Sequence, residues 1–233
     1  TEADLKLIIS KDEIGKMSVE EIDELIHKEF IYDDFKWQYD NKVRVKYKKR
    51  AEGLHKVLYQ CPNCNTEYMM GSEGAEIFCK QCNKRWYMTE YGRLEAKEGN
   101  TEFAHIPDWY EWERAQVRKQ IDDGTYYFDK QVRIDSLPNA RGYIDLGKGR
   151  LIHNMEGFTL TGMSDGEEFM IEWPANRLYS CHIEYDYLGK HGDCVDLNTM
   201  NDTLYIYPEG EDFAVTKLSL ATEELYKKLN DID

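Results

Sequence analysis

An α+β fold follows from three features of this sequence. Two C-x-x-C pairs, Cys61/Cys64 and Cys79/Cys82, stand fourteen residues apart across a stretch that holds Gly71-Ser72-Glu73-Gly74, a turn composition. From about 125 to 208, short runs with period-2 alternation are separated by Gly, Asn and Asp, the texture of short antiparallel strands. In the last segment, Ala214, Leu218, Ala221, Leu225 and Leu229 recur at helical spacing. Together these predict a metal-held hairpin, then a small antiparallel β barrel or sandwich closed by a C-terminal helix, with helical segments at the N-terminus.

The elements can be placed in chain order. Residues 5–9 (Leu-Lys-Leu-Ile-Ile) read as a short strand. Ser18-Val19-Glu20-Glu21 has the form of a capping box, and Ile22, Leu25 and Ile26 give the following helix an apolar stripe to about Phe30. Residues 31–60 are mixed, basic and partly helical in character. The hairpin unit occupies 57–93. Pro107 opens a helix that runs to about Ile121 and stops near Gly124, with Asp108, Glu111 and Glu113 near its positive end. Trp109, Tyr110 and Trp112 read as packing anchors of that helix. Strands are expected at 126–134, 141–146, 150–154, 157–162, 167–173, 178–187, 194–197 and 203–207, and a last helix over 213–229. The units are then 1–56, 57–93, 94–124 and 125–233. The chain begins with Thr1 rather than Met, so a processed product or a piece of a longer chain is expected.

Charge narrows the function classes. The chain has 233 residues, with 30 Lys and Arg against 45 Asp and Glu, a net charge of −15. A surface that acidic repels nucleic acid and anionic lipid unless charge is segregated. Some segregation exists: residues 36–56 hold eight Lys or Arg against Asp40 and Glu52, net +6, which leaves −21 for the rest. Lys42, Arg44, Lys46, Lys48, Lys49 and Arg50 form the centre of that strip. It reads either as a solvated face balancing local acid or as a dock for phosphate or phospholipid headgroups. No apolar run approaches the ~18–20 residues that span a bilayer, and no secretory pattern opens the chain, so a cytoplasmic location is expected.

The paired cysteines carry the clearest chemistry. Four soft ligands in two C-x-x-C turns are what tetrahedral zinc requires, and two turns at the ends of a hairpin supply opposite sides of one ion. Asn65 and Asn83 each follow the second cysteine of a pair, where a tight knuckle needs the left-handed conformation that Asn tolerates. Cys61, Cys64, Cys79 and Cys82 are therefore expected to hold a structural Zn2+. With all four positions thiol there is no open site for catalysis. A redox pair would need one C-x-x-C in a βαβ unit, and disulfides would need an oxidising compartment. Zinc binding contributes about 10–16 kcal/mol in such units. The hairpin is thus expected to unfold on chelation while the rest of the chain persists. Cys181 lies on the apolar side of an alternating run and reads as a small core residue. A second metal site drawn from Cys181, His182, His191 and Cys194 stays open beside that reading.

Catalytic patterns are scarce. There is no Gly-rich phosphate loop and no H-E-x-x-H. His191 and Asp196 match H-x-x-x-x-D in form, but His191 sits in Gly189-Lys190-His191-Gly192-Asp193, a strand connection in composition.

Several runs are more specific. Ala51-Glu52-Gly53-Leu54-His55-Lys56-Val57-Leu58-Tyr59-Gln60-Cys61-Pro62 leads into the first knuckle, and Met88-Thr89-Glu90-Tyr91-Gly92 follows the second. Phe103-Ala104-His105-Ile106-Pro107-Asp108-Trp109-Tyr110-Glu111-Trp112-Glu113-Arg114, Leu146-Gly147-Lys148-Gly149-Arg150-Leu151 and His182-Ile183-Glu184-Tyr185 come later. With these runs the chain resembles the C-terminal extension of bacterial glycerolipid acyltransferases similar to lysophosphatidate acyltransferases. The resemblance implies a parent enzyme that moves an acyl chain from a thioester donor, acyl-CoA or an acyl carrier, to a glycerolipid hydroxyl. It also implies that residues 5–30 end the preceding acyltransferase domain and that the catalytic H-x-x-x-x-D lies before Thr1. No catalytic residue carries over to this chain. Scaffolding, partner docking and positioning at the inner face of the membrane are the implied roles. A free-standing zinc-ribbon module for protein or nucleic acid is the alternative, with nucleic acid disfavoured by the −21 outside the strip. The curved sheet closed by a helix is also similar in architecture to the pleckstrin-homology-like fold.

Overall fold

The computed structural model of the chain describes residues 5–138, 141–164 and 166–232. Its helices and strands form an α+β arrangement with two antiparallel sheets.

The N-terminal segment is helical and lies outside the cores. Residues 5–9 form no strand: they are irregular, with Leu5 and Leu7 exposed, because no neighbouring strand offers them backbone partners. A short helix, α1 (Lys11–Ile14), precedes α2 (Val19–Phe30). The capping box at α2 forms as expected: Glu21 N–H donates to Ser18 Oγ at 3.1 Å, and Ser18 N–H donates to the Glu21 carboxylate at 2.8 Å. No residue of α2 is buried. Two further helices, α3 (Asp34–Asp40) and α4 (Leu54–Val57), supply the partly helical character of 31–60.

The first sheet has four strands in the order β1 (Met70–Glu73), β2 (Glu76–Cys79), β3 (Arg85–Met88) and β4 (Leu94–Ala96). Met70 faces Cys79, Ile77 faces Trp86 and Met88 faces Leu94. The hairpin turn falls one step later than composition suggests: Gly71–Glu73 belong to β1, and Gly74, at φ 59°, makes the reversal. The fourth strand lies beyond residue 93. Helix α5 (Ile106–Asp122) packs on this sheet through Ile106 and Trp109, which share one buried cluster with Ala51, Leu58, Met70, Ile77, Trp86 and Leu94.

The second sheet has seven strands: β5 (Phe128–Ser136), β6 (Ile144–Asn154), β7 (Gly157–Ser164), β8 (Glu167–Pro174), β9 (His182–Glu184), β10 (Cys194–Asn198) and β11 (Thr203–Pro208). Their spatial order is β8-β7-β6-β5-β11-β10-β9, antiparallel throughout. The two strands expected at 141–146 and 150–154 are one, β6, whose register against β5 shifts at Ile134/Asp135. Helix α6 (Val215–Leu229) buries Leu218, Ala221 and Leu225 as the stripe predicts, while Leu229 is exposed.

Among the described residues the sheet is open, not a closed barrel, and a pleckstrin-homology-like barrel is not formed. The two ends of the sheet approach at one point, where Trp173 Nε1 of edge strand β8 donates to the Asn198 carbonyl of β10, the strand next to the other edge, at 2.7 Å. They do not zip together, because the strand expected at 178–187 shortens to three residues. Asp186 (φ 49°) adopts the left-handed conformation and ends its extended backbone. Three residues are too few to form a closing ladder with the eight of β8.

The units are joined rather than strung apart. Tyr59 from the approach to the first knuckle, Val117 and Ile121 of α5, and Leu220, Ala221 and Leu225 of α6 bury one another. Lys217 pairs with Glu67 at 2.7 Å, Lys56 with Asp193 at 2.6 Å, and Arg118 with Glu224 at 2.6 Å. No helix of the described residues is long and apolar enough to cross a membrane.

Candidate metal centre

The two knuckles are built alike. Asn65 N–H donates to the Cys61 carbonyl at 2.8 Å, and Asn83 N–H to the Cys79 carbonyl at 2.9 Å. Cys61 N–H and Cys79 N–H donate forward to Thr66 O and Lys84 O, each at 2.9 Å. Both asparagines are left-handed, at φ 59° and 62°, as the knuckle requires. Within each turn the next backbone N–H groups face the first sulfur: those of Asn63 and Cys64 face Cys61, and those of Gln81 and Cys82 face Cys79. They would stabilise a thiolate there.

The hairpin then brings all four sulfurs together. Cys61 Sγ and Cys82 Sγ are 3.7 Å apart, as are Cys64 Sγ and Cys79 Sγ, and the four atoms lie within 4.8 Å of one another. A metal–sulfur bond of about 2.3 Å gives a tetrahedral edge of about 3.8 Å, so the spacing fits one four-coordinate ion. It does not fit disulfides, whose sulfurs bond at about 2.05 Å. The antiparallel surroundings also lack the βαβ unit of a redox C-x-x-C. Burial pushes the Cys61 and Cys79 thiols up, so loading the site expels protons. Cys64 is drawn down to about 7: burial opposes ionisation, but the Thr66 hydroxyl and N–H outweigh it.

Residues that the sequence reading did not assign to the metal centre support the cluster. Asn63 Nδ2 donates to Cys82 Sγ at 3.4 Å, a bond between the knuckles. Gln60, next to Cys61, is held by α5 on both sides of its backbone: its N–H donates to the Glu113 carboxylate at 2.7 Å, and its carbonyl accepts from Trp109 Nε1 at 3.0 Å. Trp109 in turn meets Trp86 edge to face, with ring centroids 5.1 Å apart. Glu113 is fully buried, and burial pushes its carboxyl well above the usual range. One signal was present in the sequence. Trp109, Glu113, Val117 and Ile121 fall four apart on the buried stripe of α5, and an acid on such a stripe needs a partner.

The other singled-out residues divide. In the basic strip, Arg44 pairs with Glu90, and Lys49 pairs with Glu52 at 3.2 Å. Arg50 donates to the carbonyls of Met88 and Tyr47 and lies over the Tyr87 ring. Lys42, Lys46 and Lys48 are exposed and form no ion pair among the described residues. Arg44 and Arg50 therefore tie the 41–50 segment to the ribbon, Lys49 pairs locally, and the other three face solvent. The set Cys181, His182, His191 and Cys194 is not assembled. Cys181 is buried against Thr222 of α6 at 3.4 Å, and His191 stacks edgewise on Tyr207. Asp196 pairs with His182, not with the His191 of the H-x-x-x-x-D match.

Comparison of the chain with protein-family models, with curated proteins and with solved structures finds no match. The arrangement of the four cysteines is thus read on its own chemistry.

Proposed function

We propose that Cys61, Cys64, Cys79 and Cys82 hold a structural Zn2+, and that the chain is the non-catalytic accessory region of a glycerolipid acyltransferase. Four thiolates saturate a tetrahedral ion, so the metal acts by clamping the two knuckles and leaves no position for substrate.

The observation that carries the accessory role is the uncovered apolar surface of 5–31. Leu7, Val19, Phe30 and Ile31 are each more than three-quarters exposed, and α2 buries nothing although it is well capped and amphipathic. A helix with an apolar stripe gains little stability until that stripe is covered. A preceding acyltransferase domain would cover it. The residue runs around the ribbon support the same reading. Lys42, Lys46 and Lys48 would then lie beside that domain as an electrostatic contact with anionic headgroups.

The test is the coding sequence upstream of the Thr1 codon, with an acyl-transfer assay on whatever protein it encodes. An in-frame domain bearing H-x-x-x-x-D, active with a thioester donor while residues 1–233 alone are inactive, is the expected result. Turnover by residues 1–233 alone, or an immediate start codon, overturns it.

A free-standing zinc-ribbon module is the second reading. It draws on the same three lysines, which form no ion pair among the described residues, in a segment that also exposes Trp37, Tyr39 and Tyr47. Retention of single-stranded oligonucleotides at about 50 mM salt would favour it.

A further inference from the structure

The edge of the large sheet brings together a second set of metal-capable side chains. In the β9–β10 pair, His182 faces Asp196 and Glu184 faces Cys194. Residues in register, and residues two apart, project from the same side of a sheet. All four side chains therefore share one face. His182 Nδ1 lies 2.9 Å from Asp196 Oδ2 and 3.9 Å from Glu184 Oε1, and one donor atom from each of the three lies within 4.8 Å of the others.

We propose that His182, Glu184 and Asp196 bind one divalent first-row transition-metal ion, separate from the four-cysteine centre and independent of the acyltransferase reading.

Spacing is the first argument. Metal–nitrogen and metal–oxygen bonds of about 2.1 Å put adjacent octahedral donors about 3.0 Å apart. The His182–Asp196 separation already has that value, and Glu184 needs a shift of about one ångström, well within a surface side chain's reach.

Charge is the second. Asp196 is only 7% exposed, and neither it nor Glu184 forms an ion pair with any Lys or Arg among the described residues. Their sole cationic partner is the His182 imidazole, whose protonated form the Asp196 hydrogen bond favours. Two carboxylates sharing a small volume favour a divalent cation over that single hydrogen bond.

Preorganisation and access complete the case. Cys194 Sγ, fully buried, contacts Asp196 Oδ1 at 3.5 Å, which fixes the carboxylate with Oδ2 turned toward His182. The His182 side chain is 67% exposed, so the ion would enter from solvent and keep waters on its open positions. One imidazole with two carboxylates suits Mn2+, Fe2+, Co2+ or Zn2+ better than Ca2+, which takes six to eight oxygens.

The test uses the full chain with its four-cysteine site first filled by one equivalent of Zn2+. Mn2+ is then titrated in. Loss of the free Mn2+ EPR signal gives the stoichiometry, and paramagnetic broadening of backbone NMR signals gives the place. The expected result is one Mn2+ per chain, with broadening centred on residues 182–184 and 194–196. His182→Ala, at an exposed position, should weaken uptake at least tenfold while the Zn2+ content and NMR dispersion stay unchanged. Asp196→Asn should do the same. No uptake by the native chain up to about 1 mM Mn2+ overturns the proposal. So does uptake that His182→Ala leaves unchanged, or broadening centred elsewhere.

Discussion

Asn65 and Asn83 hold the same place in the two knuckles and the same left-handed backbone, at φ 59° and 62°, each donating its N–H to the first cysteine of its pair. The ligand geometry thus depends on two residues that touch no metal. A β-branched residue in that conformation costs about 1–2 kcal/mol or more. Asn83→Val should therefore weaken metal binding roughly tenfold, and Asn83→Gly much less, in competition with a colorimetric chelator. Equal affinities for the two variants would show that the knuckle makes no such demand.

Metal removal should reach beyond the hairpin. The buried cluster beneath β1–β4 contains Ile106 and Trp109 of α5 as well as Trp86. Stripping the ion should expose the amides of residues 70–96 and of the first turns of α5 to hydrogen exchange. Tryptophan emission should shift red, because Trp86 and Trp109 are both fully buried in the folded chain. The β5–β8 strands, with their own core of Val132, Leu151, Phe158 and Leu160, should keep their protection. Unchanged exchange over 70–96 after chelation would contradict the role given to the metal.

His153 sets an acid limit on the large sheet. It lies parallel to Phe158, with centroids 3.7 Å apart, and shares a hydrogen bond with the Tyr126 hydroxyl at 2.8 Å. Complete burial pushes its pKa down to about 3. An unfolded histidine takes a proton near pH 6.5, which the folded one refuses. Stability should thus be fully present above about pH 6.5 and fall as pH drops toward 3, by up to ~1.4 kcal/mol per pH unit. In His153→Gln the fall between pH 7 and pH 5.5, read from urea midpoints, should be about 1.4 kcal/mol smaller than in the native chain.

Gly157 opens β7 where the backbones of two strands nearly touch. A Cβ there would meet Trp173 O at 2.1 Å and Ala175 N at 2.6 Å, at a φ of 115°. Gly157→Ala should cost roughly 3 kcal/mol through strain and overpacking together. Gly99→Ala, with open space around it but a φ of 72°, should cost roughly 1 kcal/mol. Similar urea midpoints for the two would remove the steric argument.

Much of the molecule was legible before any coordinate. The four cysteines, the Asn after each pair, the Ser18 cap, the Pro107 helix start and the Leu218–Leu225 stripe all rest on interactions within a few residues. Spacing and residue type report such interactions directly. Other readings failed where distant partners decide. Residues 5–9 have an apolar composition that suits a strand, but no second strand arrives to pair with them. The alternation over 178–187 is real, yet only His182–Glu184 pairs as a strand, and left-handed Asp186 ends the extended backbone there.

The sequence by itself pointed to the four metal-capable cysteines and to the caps and stripes of α2, α5 and α6, because caps, knuckles and stripes are local. Only the tertiary structure decided that β10 sets Asp196 opposite His182, that Glu113 reaches Gln60 across the α5 packing face, and that β8 and β9 remain edges. Strand register and helix docking join residues tens of positions apart, and the free energy that selects them comes from burying whole faces at once rather than from any short pattern along the chain.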